Sequence, residues 1–110
     1  MVKIEVKPLS VNEVWQGKRF KTQKYKSYEN ELLCLLPKIT LPKSPYKLYL
    51  TFGMSNVLSD WDNPVKPFQD VLQKKYGFND KDIFEAHVYK VKVKKGEEFI
   101  KFSIETVDLF

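Results

Sequence analysis

The chain has 110 residues, 43% of them hydrophobic, and its 19 basic and 14 acidic side chains give a net charge of +5. This length predicts one domain, residues 1–110, with a single modest core. A lone cysteine, Cys34, excludes an internal disulfide and a thiolate zinc site. The longest apolar run around it, Leu32 to Leu36, is too short to span a membrane. We therefore expect a cytoplasmic protein that does not contact membranes.

The first half of the chain predicts a strand, a helix and a second strand. Apolar and charged residues alternate from Val2 to Val6, as in a half-buried strand. Thr22 is the predicted N-cap of a helix that ends at about Leu36, because Pro37 follows. Residues 46–52 alternate again and predict the second strand.

The second half predicts a helix and two further strands. The helix runs from about Pro64 to Lys75, and Gly77 is placed to end it in the left-handed conformation. Pro67 must lie in the first turn, since deeper in a helix it would remove a hydrogen bond. Residues 83–94 and 100–104 predict strands that form a β-hairpin. The order β-α-β-α-β-β predicts an α+β fold, a four-stranded mixed sheet with both helices on one face.

Acidic residues cluster around the start of the second helix. Asp60 and Asp62 are two apart, so in an extended run their carboxylates would point to the same side. From Asp62 onward, Lys66, Asp70 and Lys74 recur every four residues along one helical face. Carboxylates are the hard oxygen ligands that Mg²⁺ prefers, and after the helix Asp80 offers another. Asp80 either returns to the helix start within one chain or reaches the metal at a dimer seam.

Basic residues are concentrated in the first half of the chain, with 10 basic and 4 acidic side chains in residues 1–50. Five of them lie in one short acid-free segment: Lys18, Arg19, Lys21, Lys24 and Lys26. Such a segment is typical of phosphate contact, although a solvated loop has the same composition. A second candidate surface is the alternating set Lys90, Lys92 and Lys94. His87 is the only histidine, and its place in a strand favours a structural role over that of a general base.

This ordered set of residues resembles the RusA family of Holliday junction resolvases, found in bacteria and their phages. The family pattern has an Asp-x-Asp-Asn run, a lysine four residues after the second Asp, an Asp four further on, and an acid after the helix. The matching residues here are Asp60, Asp62, Asn63, Lys66, Asp70 and Asp80. Ser10 to Asn12, with the basic segment behind them, resemble the family's N-terminal segment. Family members often carry two adjacent acids after the helix, whereas here the first is Asn79, so Asp80 is the better match and Asp82 a competitor.

The resemblance implies a homodimeric endonuclease that uses Mg²⁺, or Mn²⁺ in its place, to nick two strands of a four-way DNA junction symmetrically. It implies catalytic and metal-binding roles for Asp60, Asp62 and Asp80. Lys66 would stabilise charge on the phosphate. Asn12, Asn63 and Asp70 would support the site, with Asp70 either positioning Lys66 or serving only in packing.

Two other functions remain compatible with the same residues. One is a non-catalytic module of the same fold that binds branched DNA, with the acids reduced to structural roles. The other is a basic protein-interaction domain in which Asp62 and Asn63 merely cap the second helix. Metal-dependent cleavage separates the nuclease from both alternatives.

Overall fold

The chain folds into an α+β structure made of a four-stranded sheet, a small two-stranded hairpin and two helices. A computed structural model describes residues 1–18, 20–56 and 58–108. The strands are β1 (Val2–Ile4), β2 (Trp15–Gln16), β3 (Phe20–Lys21), β4 (Tyr46–Met54), β5 (Ile83–Lys92) and β6 (Phe99–Thr106). The helices are α1 (Gln23–Leu35) and α2 (Val65–Tyr76), and short 3₁₀ turns cover Val11–Glu13 and Asp80–Asp82.

The main sheet has the strand order β1-β6-β4-β5 and is mixed. β4 is parallel to β5 and antiparallel to β6, which in turn pairs antiparallel with β1. The predicted α+β class and four-stranded mixed sheet are confirmed. The predicted hairpin between β5 and β6 is wrong, because these strands lie on opposite sides of β4. The α2 crossover places β5 parallel to β4, and β6 then pairs along the other edge of β4.

Both helices pack on one face of this sheet, as predicted. Alternate residues of β4, among them Leu50 and Phe52, are fully buried on that face. Phe68 of α2 meets Phe52 and Phe102 edge-on, with ring centroids 6.0 and 5.6 Å apart. Leu32 of α1 joins the same core. The core therefore holds α2 rigidly against the sheet by its first two turns.

Local signals in the sequence correctly mark the helix ends. The Thr22 hydroxyl accepts a hydrogen bond from the Tyr25 N–H at 3.1 Å, and Gly77 is left-handed with a φ of 73°. α2 begins at Val65, which leaves Pro67 in the first turn. Backbone N–H groups there have no acceptor within the helix, so Pro67 removes no hydrogen bond.

The Tyr28 hydroxyl is buried beside the Leu9 backbone, and within the part of the chain that the structure describes it has no hydrogen-bond partner at normal geometry. We expect Tyr28→Phe to leave the free energy of unfolding unchanged or to raise it by up to about 1 kcal/mol, because an unpaired buried polar group is removed. Urea unfolding measures this change. The matched variant Tyr76→Phe removes a hydroxyl that donates to the Pro37 carbonyl at 2.7 Å. It should cost about 0.5–1.5 kcal/mol. An equal loss in both variants contradicts the assignment for Tyr28.

Candidate active site

The two acids before α2 lie in a tight turn. The Asn63 N–H donates to the Asp60 carbonyl at 3.2 Å, and the Val65 N–H donates to the Asp62 carbonyl at 3.0 Å. The backbone is therefore folded here, and the expectation of an extended run is wrong. Pro64, with its restricted φ, favours the turn over the extended chain. Both Asp60 and Asp62 are exposed.

Neither acid of this turn caps the helix through its side chain. The N-cap position of α2 is Pro64, and no side chain accepts a hydrogen bond from the first turn. The simplest structural explanation of Asp62 and Asn63, a helix cap, is therefore wrong.

Lys66, in the first turn of α2, connects two of the remaining acids. Its Nζ lies 3.0 Å from Asp70 Oδ1 and 3.7 Å from Asp80 Oδ2. The hydrogen bond with Asp70, reinforced by the charge of Asp80, raises the pKa of Lys66. Asp70 therefore contacts Lys66, as the first of the two roles considered for it requires. The chain runs the length of α2 and returns far enough to bring Asp80 beside Lys66.

Asp80 opens the 3₁₀ turn that precedes β5. Asn79, at the position where members of the RusA family often have an acid, accepts the Lys81 N–H through its side chain at 3.1 Å and so caps this turn. Asp82 closes the turn with a backbone bond to the Asn79 carbonyl. Because Asp80 is the acid that contacts Lys66, its position favours it over Asp82 as the third acid of the site.

The predicted metal ligands are not gathered into one cluster. In residues 1–18, 20–56 and 58–108, no three Asp, Glu, His or Cys side chains converge to hold a metal ion. The donor chemistry nevertheless fits Mg²⁺, because Asp60, Asp62 and Asp80 are exposed carboxylates on the turns that flank α2. Mg²⁺ usually takes only one or two carboxylates and fills its other positions with water and substrate phosphate.

The N-terminal segment lies against the acidic turn. The Val11 N–H donates to the Asn63 carbonyl at 2.8 Å, and the Ser10 hydroxyl accepts the Asn12 N–H at 3.2 Å. The 3₁₀ turn that contains Asn12 is thereby fixed to the loop that carries Asp60 and Asp62. The two segments that share the family resemblance are neighbours in space.

The basic segment forms the β2–β3 hairpin and the start of α1. This hairpin was not predicted from the sequence, and its strands have two residues each. Lys21 lies over the rings of Trp15 and Tyr25, with Nζ 5.2 and 4.3 Å from the centroids, and Lys24 pairs with Glu13. Lys18 and Lys26 are exposed. Arg19, the fifth predicted cation, lies outside the described residues.

Two residues near the acidic turn were not predicted to belong to the site. Lys90 donates from Nζ to the Ser59 carbonyl and so contacts the loop that leads to Asp60. It pairs with Phe52 of β4 and so points to the same face of the sheet as the helices, a register that the sequence alone does not reveal. Trp61 is 59% exposed and lines a cleft with Val65, Ala86 and Val88. These contacts place the site between the acidic turn, α2 and β5.

His87 lies away from this site, on the opposite face of the sheet. Its ring stacks on Tyr49 with centroids 4.7 Å apart, and its Nε2 is 2.6 Å from Glu85 Oε2. These contacts are consistent with the predicted structural role.

Comparison with known proteins adds no relative. No protein-family model matches the sequence, and no curated protein is significantly similar to it. Within the described residues no helix has the length and apolar character needed to cross a membrane. The fold and the site together define an α+β domain with exposed acids around one helix start and a basic hairpin close by.

Proposed function

We propose that this chain is a Mg²⁺-dependent, structure-selective endodeoxyribonuclease that acts as a homodimer and resolves four-way DNA junctions by paired symmetric nicks. The contact between Lys66 and Asp80 carries this proposal. It brings the last acid of the RusA-like pattern to the helix start beside which Asp60 and Asp62 lie. The pattern spans 21 positions of sequence, and its last acid supports the proposal by lying beside the lysine at its centre.

The residues divide the chemistry between them. Asp60, Asp62 and Asp80 would hold Mg²⁺, or Mn²⁺ in its place, which when bound lowers the pKa of a water and stabilises charge on a phosphate. Lys66 supplies an ammonium group for a phosphate oxygen as negative charge builds up on it. Asp70 holds this ammonium group in place at 3.0 Å.

DNA must be attracted by cations away from the acids. The hairpin and the start of α1 supply Lys18, Lys21, Lys24 and Lys26, and the sequence adds Arg19, which lies outside the described residues. Trp15 and Phe20 on the same hairpin are 51% and 71% exposed. Flat exposed rings suit stacking against bases that are unpaired at a branch point.

The test is cleavage of a labelled, mobile four-way junction by the full chain, in Mg²⁺ and in EDTA. We expect paired symmetric nicks in Mg²⁺, none in EDTA, and loss of nicking in Asp62→Asn. The matched variant Glu31→Gln removes an exposed acid from α1 and should cut as the wild type does. Cleavage that persists in Asp62→Asn, or in EDTA, overturns the proposal.

The basic hairpin gives a prediction about binding. We expect the double variant Lys18→Gln/Lys26→Gln to bind junctions more weakly and to reduce the slope of log K against log salt by about 2, because each phosphate contact releases about one counterion. Fluorescence anisotropy across a salt titration measures both quantities. The control Lys38→Gln/Lys43→Gln removes two cations from the loop between α1 and β4. An unchanged slope in the first variant removes the hairpin from the DNA interface.

The non-catalytic module is the second candidate function. It is favoured by the lack of a three-carboxylate cluster among the described residues. This candidate expects tight, salt-sensitive junction binding without nicks in either Mg²⁺ or Mn²⁺. The protein-interaction alternative is weakened, since the helix cap on which it depended is absent from α2.

A further inference from the structure

β5 presents a long free edge at one end of the sheet. It has ten residues, and in the described part of the chain only β4 pairs with it. Half of the backbone N–H and C=O groups of such a strand point outward and form a template for another strand. At the opposite end of the sheet β1 has only three residues. The β5 edge is therefore the main place where a further strand could be added.

Exposed apolar side chains flank this edge on both faces of the sheet. Phe84, Tyr89 and Val91 are 62%, 53% and 41% exposed. On the helix side, the cleft with Trp61 lies over Val88. A long edge flanked by exposed apolar side chains favours burial against a partner, and the lysines of β5 restrict which strand can pair with it.

The charges along β5 favour a second copy of the chain as the partner. Its entrance is acidic, with Asp80, Asp82 and Glu85, whereas its exit is basic, with Lys90, Lys92, Lys94 and Lys95. Two copies in antiparallel order place each acidic entrance beside the basic exit of the other. Parallel order would place like charges together.

The antiparallel arrangement is compatible with several alignments of the two strands, because lysines recur at alternate positions towards the end of β5. Residues directly opposite in a two-fold antiparallel pair must point to the same face, so the axis passes through a residue. With the axis at Ala86, His87 or Val88, the acidic 3₁₀ turn before β5 of one copy comes near the basic end of β5 in the other. Each choice brings opposite charges together at both ends of the seam.

We propose that β5 pairs antiparallel with β5 of a second copy, so that the two sheets join into one of eight strands. This inference rests on the proposed function and names the dimer surface that it requires. The two-fold axis stands perpendicular to the sheet, so both acidic turns lie on the same face, one on each side of the seam. Two equivalent sites would then face the two symmetric strands of a junction.

Disulfide trapping tests this seam directly. In a Cys34→Ser background, cysteine is placed singly at Ala86, His87 or Val88 and oxidised in the full chain. Residues opposite each other across the axis have Cα atoms about 4.5–5.5 Å apart, within the range of a disulfide. We expect a cross-linked dimer at one of these positions and at least tenfold less at the exposed control Lys38→Cys. Equal cross-linking at Lys38→Cys overturns the proposal.

Charge reversal provides a second measurement by sedimentation. Lys92→Glu/Lys94→Glu should raise the dimer Kd about tenfold or more, whereas the loop control Lys38→Glu/Lys43→Glu should leave it unchanged. Mixing the first variant with Asp82→Lys/Glu85→Lys should restore dimers. A monomeric wild type, or a dimer that is indifferent to the β5 variants, overturns the proposal. If the protein cleaves junctions but dimerises through another surface, only this inference is overturned. If β5 pairs with β5 but no cleavage occurs, only the proposed nuclease function is overturned.

Discussion

Replacing Lys66 by methionine is expected to lower the rate of junction cleavage by about 10²–10³-fold, the cost typical of losing one group that stabilises transition-state charge. Methionine keeps most of the length of the side chain and removes only the charge. Junction affinity should change little, because a single cation among several is lost. Single-turnover cleavage at saturating protein, compared with anisotropy binding, separates the two quantities.

The matched control is Lys81→Met, which makes the same charge change next to Asp80. It should cleave within a few-fold of the wild type, since Lys66 and not Lys81 contacts Asp80 and Asp70. Equal losses in both variants would mean that general positive charge, and not the position of Lys66, supports the reaction. Asp70 raises the pKa of Lys66, so its ammonium stays charged as pH rises through the mildly alkaline range. We therefore expect no fall in the wild-type rate there from deprotonation of Lys66.

Features determined by neighbouring residues could be predicted from the sequence. The Thr22 cap and the left-handed Gly77 each depend on a few residues and the hydrogen bonds between them. The alternation along β4 likewise shows which residues face the core. These local signals were sufficient to assign the α+β class and the face on which the helices pack.

Strand pairing could not be predicted in the same way. β5 and β6 are joined by a short turn at Gly96, which is left-handed with a φ of 95°, and their sequences alternate as hairpin strands do. Whether they pair with each other depends on α2, which carries the chain across the sheet and leaves β4 between them. This information lies in contacts between distant residues, and periodicity does not contain it.

The candidate site likewise combines features that the sequence predicted with features that it did not. The spacing of Lys66 and Asp70 correctly predicted an ion pair one helical turn apart. The fold of the acidic turn was missed, because an Asp-x-Asp run has no period of its own and Pro64 favours a turn. The contact of Lys90 with the Ser59 carbonyl depends on the register between β4 and β5, which only the folded sheet reveals.

Truncation of Phe68 to alanine is expected to have the largest effect on stability, a loss of about 3–5 kcal/mol in the free energy of unfolding. Phe68 is fully buried and packs edge-on against Phe52 and Phe102, so alanine would leave a cavity in the centre of the core. Native domains of this size have only about 5–15 kcal/mol in total, so the variant should be close to unfolding. Urea unfolding followed by circular dichroism measures the change.

The control Phe20→Ala removes the same side chain from the exposed hairpin. It should change the free energy of unfolding by no more than about 0.5 kcal/mol, because Phe20 is 71% exposed. Similar losses at the two positions would contradict the placement of Phe68 at the centre of the core. Phe68 lies two residues after Lys66 in the helix, so the same packing fixes the height of the Lys66 ammonium above the sheet. A milder variant, Phe68→Leu, should therefore remain folded. It should still lower the cleavage rate, because the smaller side chain would shift the position of α2 relative to β4.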